Sequence, residues 1–129
     1  MKKIILLGSS GSIGSYLAVH LSNFFEVIAT SRSNTQLFEK INNVSYHNVD
    51  FSEKGDIISF FESIDDKKNI YGIINCYGFQ NPIERFQKTD FKTWENNLSI
   101  NLNNYAFLLH LFLNSNHSLK KIINFSGGG

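Results

Sequence analysis

The chain holds one cysteine, Cys76, among 129 residues. That excludes an internal disulfide framework and any cysteine-rich zinc site. Excess charge of either sign is missing too. The formal net charge is +1 and no basic block occurs, so neither a nucleic acid nor an anionic membrane is indicated as a partner. Long hydrophobic runs are absent. The longest, Tyr105 to Leu113, is interrupted by His110 and cannot span a bilayer. The opening run from Met1 to Leu7 is too short for a signal peptide and passes straight into Gly8-Ser9, as a first strand does. His20, His47, His110 and His117 fall in different predicted elements without metal-ligand spacing, so no metal is expected. These absences describe a cytoplasmic protein of a reducing compartment, without a membrane segment.

Enough apolar residues are present to form a core. The hydrophobic share is 42% and the aromatic share 14%, which argues against disorder and for one domain. Lys3–Leu7 is a continuous apolar run ending in glycine, the mark of a strand buried on both faces. A helix is predicted over Ser12–Ser22, a strand over Glu26–Thr30, and a short helix over Asn34–Ile41 capped by Ser33 or Asn34. A third strand over Val44–Val49 precedes a helix capped at Ser52 and running to about Ile64. A fourth strand over Ile70–Cys76 follows a charged turn. Asn81-Pro82 marks another turn before a long helix, Asp90–Leu113, whose stripe is Trp94, Leu98, Asn101, Tyr105, Leu108 and Phe112. A fifth strand covers Lys121–Ser126. Alternating strands and helices predict an α/β fold, a doubly wound parallel sheet covered on both faces. The many scattered asparagines read as a compositional bias without a role.

Gly8-Ser9-Ser10-Gly11-Ser12-Ile13-Gly14 joins the first strand to the first helix. Glycines there let the backbone turn sharply and let a pyrophosphate approach without a Cβ in the way. The helix N-terminus offers free N–H groups and the positive end of its dipole. The same segment read without a ligand is a strand–helix turn with serine caps. Glycines at the first, fourth and seventh positions differ from the standard dinucleotide fingerprint.

That spacing resembles the short-chain dehydrogenase/reductase family, in the variant commoner in its extended, sugar-nucleotide branch. The resemblance implies a Rossmann-like NAD(P)-binding domain over residues 1–129. It implies cofactor contacts from Gly8, Ser10, Gly11, Ile13, Gly14, Arg32, Asp50, Phe51, Asn75 and Gly78. After the second strand, Thr30-Ser31-Arg32-Ser33 lacks the acidic residue that an NAD site usually offers to the ribose 2′-hydroxyl. Arg32 instead suits a 2′-phosphate, which favours NADP over NAD, although a solvated arginine reads the same way. Asp50 resembles the family's aspartate at the adenine amino group, with Phe51 against the ring; read alone, Asp50 is equally a helix cap.

Asn75-Cys76-Tyr77-Gly78 resembles the family's Asn-Asn-Ala-Gly, with Cys76 and Tyr77 as departures. Cys76 reads as a small buried hydrophobe. Asn101 matches the asparagine that, in the family, bends the long helix and holds a water in the proton relay. Ser126 stands near the catalytic serine's place, with Gly127 where a second serine is common. The family's general acid is a tyrosine with a lysine four residues later. None of Tyr16, Tyr46, Tyr71, Tyr77 and Tyr105 has that lysine.

The chain is therefore expected to be the front part of such an enzyme, truncated after the fifth strand and inactive alone. Its uncovered long helix, 90–113, would support homo-oligomerisation. The reaction implied is hydride transfer between nicotinamide and a small-molecule carbonyl or secondary alcohol. The alternatives are a sugar-nucleotide epimerase or dehydratase and a non-catalytic dinucleotide-binding module.

Overall fold

The computed structural model describes residues 1–33 and 38–125. Five strands form one sheet: β1 (Lys2–Leu7), β2 (Phe25–Ser31), β3 (Val44–Asn48), β4 (Ile70–Asn75) and β5 (Lys121–Asn124). All are parallel, in the order β3-β2-β1-β4-β5. The order reverses between β1 and β4, and a crevice at such a switch point is where open α/β sheets bind ligands.

The apolar run of β1 is explained by two cores. Ile4 and Leu6 pack with Ala18, Val27 and Ala29 beneath α1 (Ser12–Leu21). Ile5 and Leu7 point the other way, into a core with Val49, Phe51, Ile57, Phe60, Leu108 and Phe112. That second core is covered by α2 (Lys54–Ser63) and by a long helical run. Period-two alternation with both faces buried leaves no polar position from Ile4 to Leu7.

The long helix is not uniform. Asp90 caps α3 (Phe91–Leu98) by accepting from the Thr93 N–H at 3.1 Å. A π-helical turn over Ser99–Asn103 follows, and α4 (Asn104–Ser115) completes the run. The π turn re-phases the apolar stripe. Tyr105, Leu108 and Phe112 are buried, while Trp94 and Leu98 stay exposed with Phe91 and Leu102.

Two expectations are corrected. Ser52 does not cap α2: its N–H and hydroxyl both donate to Asp50 Oδ1, at 2.9 and 2.7 Å, and the helix starts after Glu53. The helix expected over Asn34–Ile41 is not formed at residues 38–41, where the Phe38 ring packs edge-on against Tyr46 at 4.9 Å. Its first half, 34–37, lies outside the described residues, as do Ser126 and Gly127.

Candidate functional site

The site is built at the C-terminal ends of β1, β2, β3 and β4. Gly8 leaves β1 at φ +78°, a left-handed conformation that glycine adopts without penalty. A Cβ on Gly8 would come within 2.7 Å of the Tyr77 N and Cα. A Cβ on Gly14 would fall on the Gly8 carbonyl oxygen and within 2.9 Å of Ser9 Cα. These two glycines serve backbone packing between β1, α1 and the β4 exit. Gly11 is different. A Cβ there would meet nothing nearer than the Gly8 oxygen at 3.8 Å.

Gly11 is also the N-cap of α1, without a side-chain cap, and the first turn carries no acidic residue. The N–H groups of that turn are thus left to an anion. Ser9 is not part of this opening: its N–H and hydroxyl both donate to the Thr30 carbonyl, at 2.8 and 2.9 Å, tying the loop to β2. Ser10 and Ile13 are exposed beside the opening.

At the exit of β2, the Ser31 hydroxyl accepts from the Ser33 N–H at 3.0 Å, and Arg32 projects as an exposed residue. Asn48 at the end of β3, with its amide nitrogen turned to this bend, donates to the Ser33 carbonyl at 2.7 Å. Asp50 follows. Hydrogen bonds from the Ser52 hydroxyl and N–H, with a smaller contribution from Arg32, hold its carboxyl below the usual range, so it is ionised near neutrality. The Phe51 side chain is 1% exposed, inside the core. An adenine contact from that ring is therefore corrected: the ring supports the site from below.

The exit of β4 carries Asn75, whose Oδ1 accepts from the Tyr77 N–H at 3.0 Å. Cys76, expected to be buried, is half-buried: it packs at the edge of the apolar cluster near α1, and burial raises its thiol. Gly78 is exposed with open space around it. Beyond it, the π turn grips the loop. Asn101 accepts from the Phe79 N–H at 2.8 Å and donates to the Phe79 carbonyl at 2.6 Å. Asn97 donates to the carbonyls of Phe79 and Asn81, at 2.8 and 2.7 Å.

Other asparagines do similar work, which corrects the reading of asparagine as mere bias. Asn104 donates to the Phe51 carbonyl at 2.6 Å and Asn116 to the Ile70 carbonyl at 2.7 Å, both buried. The Tyr105 hydroxyl donates to Asn124 Oδ1 at 2.6 Å, fixing β5 beside the site. The signal that marks them is position: each lies where a strand or loop end leaves a carbonyl without a ladder partner.

One consequence is testable. Replacing Asn101 by alanine removes the side-chain acceptor of the Phe79 N–H and leaves the Phe79 carbonyl to Asn97 alone, at a cost of about 1–3 kcal/mol. Urea unfolding should show that loss, and the Phe79 amide should exchange faster with solvent. Unchanged exchange at Phe79 would mean that the clamp is not what orders the loop.

Among the described residues no group of histidine, cysteine, aspartate or glutamate is placed to hold a metal, and no helix is long and apolar enough to cross a membrane. A family model described as NAD dependent epimerase/dehydratase matches residues 4–126. No curated protein matches the chain. Solved structures do. A short chain dehydrogenase from Leptospira borgpetersenii serovar Hardjo-bovis, with bound NAD+, is 26% identical with a TM-score of 0.71; the match covers 86% of this chain and 44% of that one. Serine dehydrogenase from Escherichia coli is 19% identical with a TM-score of 0.78, over 95% of this chain and 60% of that one. The closed form of serine dehydrogenase complexed with NADP+ is 19% identical with a TM-score of 0.80, over 95% of this chain and 52% of that one. The last two likenesses speak to fold alone. The chain spans roughly half the length of these proteins.

Proposed function

This chain belongs to the NAD dependent epimerase/dehydratase family, and on that premise we propose that it is the dinucleotide-binding portion of a short-chain oxidoreductase. The observation that carries the reading is the open space over Gly11 at an uncapped helix N-terminus, between two glycines that no side chain could replace. The residues fit a dinucleotide. The α1 N–H groups, with Gly11 and the exposed Ser10 and Ile13, would receive the pyrophosphate. Arg32 would pair with a ribose 2′-phosphate, which makes NADP the proposed cofactor ahead of NAD. Asp50 keeps Oδ2 free of Ser52 and would accept from the adenine amino group. Asn75 and Gly78 would border the ribose on the nicotinamide side.

When bound, the nicotinamide supplies or accepts the hydride exchanged with a small-molecule carbonyl or secondary alcohol. The chain's own part is to position. Asn101 commits its amide to Phe79, so its contribution to a proton relay is to hold the π turn, whose backbone carbonyls lie outside the regular ladder. Ser126 remains the proposed polarising hydroxyl. The tyrosine–lysine general acid is not among these residues, so no proton-transfer step is assigned to them. The exposed Phe86, Phe91, Trp94 and Leu98 would serve self-association through the long helix.

Equilibrium titration tests the reading. NADPH should bind saturably at one site per chain, displaced by 2′,5′-ADP. Absence of binding to NADPH and NADH alike would overturn it. A second reading, an epimerase or dehydratase of the extended branch, is favoured by the glycine spacing and the matched family model. It requires NAD that stays with the protein through purification.

A further inference from the structure

We infer that Tyr77 is a specificity-determining residue of the adenosine half of this site, its ring forming a platform on which the adenine stacks. The inference rests on the dinucleotide reading and deepens it. Tyrosine stands here where the family resemblance has alanine, so the position carries a large ring that the shared scaffold does not require.

The geometry places that ring where strand ends converge. The Tyr77 backbone abuts Gly8, so the residue is fixed against the phosphate loop itself. Its ring lies 4.7 Å from the Phe51 ring, tilted by 33°. Phe51 is sealed in the core and follows Asp50, so it braces the Tyr77 ring one residue along the chain from the carboxylate proposed to meet the adenine amino group. Tyr77 itself is only half-buried. Both Arg32 and Asp50 act electrostatically on its phenol. Burial raises the phenol, so the ring is neutral near neutral pH, as a stacking partner needs to be.

Among other exposed rings, Tyr16 stacks on His20 along α1, and Phe86 and Phe91 pack around Trp94. A half-buried aromatic braced by a buried ring presents a flat, rigid surface at little entropic cost. Purines stack on such surfaces without sequence-specific hydrogen bonds.

The test compares two ligands and two variants. Tyr77→Leu keeps an apolar side chain on Phe51 but removes the ring; Tyr77→Phe keeps the ring and removes the hydroxyl. Binding of 2′,5′-ADP is measured by calorimetry, and binding of nicotinamide mononucleotide by NMR titration, with circular dichroism confirming the fold. Tyr77→Leu should weaken 2′,5′-ADP about tenfold, and Tyr77→Phe by less than about twofold, as base–aromatic stacking predicts. Nicotinamide mononucleotide should bind all three proteins alike. Wild-type affinity for 2′,5′-ADP in Tyr77→Leu would overturn the inference, as would equal weakening of both ligands. If the wild-type protein takes up neither ligand, the dinucleotide reading falls first and the platform with it.

Discussion

Gly14→Ala should lower the melting temperature by roughly 10 °C and abolish measurable NADPH binding, whereas Gly11→Ala should keep the fold and lose only the ligand. The two substitutions add the same methyl group three residues apart. At Gly14 it lands on the Gly8 carbonyl and close to Ser9 Cα, all backbone, so no rotamer change can relieve it. Either α1 moves off the sheet or the Gly8 turn reopens. Overpacking of this kind costs about 3 kcal/mol, a large part of a small domain's stability. Because the same movement displaces the helix N-terminus, the anion site goes with it.

At Gly11 the methyl meets open space, and φ −76° is acceptable to alanine. The stability change should stay within about 1 kcal/mol, the usual cost at an N-cap. A ligand phosphate, however, would have to occupy that same space. Thermal unfolding and NADPH titration of both variants separate the two roles. Unimpaired NADPH binding in Gly11→Ala would show that the open space is not where the pyrophosphate lies.

This contrast bears on what could be read from the residues alone. The spacing located the loop, and the apolar run before it located a doubly buried strand, because both signals are local. That Gly8 and Gly14 serve packing while Gly11 serves a ligand depends on what lies opposite each, and Tyr77 is 69 positions from Gly8. The same limit explains Phe51. Its neighbour Asp50 is held by the Ser52 hydrogen bonds, and the next side chain enters the core. Asparagine was the least legible residue. Asn97, Asn101, Asn104 and Asn116 each satisfy a backbone carbonyl 16 to 53 residues away, and nothing in their local sequence names the acceptor. The helix 90–113 was legible as amphipathic, but the π turn within it was not, since one extra residue per turn leaves composition unchanged.

Arg32→Glu should weaken NADPH about 100-fold while changing NADH by less than about threefold. Arg32 is exposed at the end of β2, and its carbonyl-side bend is held by Ser31 and Asn48, so the guanidinium is presented on a fixed base. A guanidinium reads a phosphate through two parallel N–H bonds, and it counters the dianion's charge. Replacing it with a carboxylate reverses that interaction and adds a second negative charge beside Asp50, which is already ionised. Attraction of roughly 1–2 kcal/mol becomes repulsion of similar size, after discounting for solvent exposure at the rim. For NADH the 2′-hydroxyl finds an acceptor in the new glutamate, the arrangement that NAD sites use, which offsets the lost arginine contacts. The measurement is a pair of titrations at low and high salt. The NADPH difference should shrink as ionic strength rises, because the pair is exposed and screened. Equal weakening of NADPH and NADH would assign Arg32 to adenine stacking or to the pyrophosphate, and NADP would lose its place as the proposed cofactor.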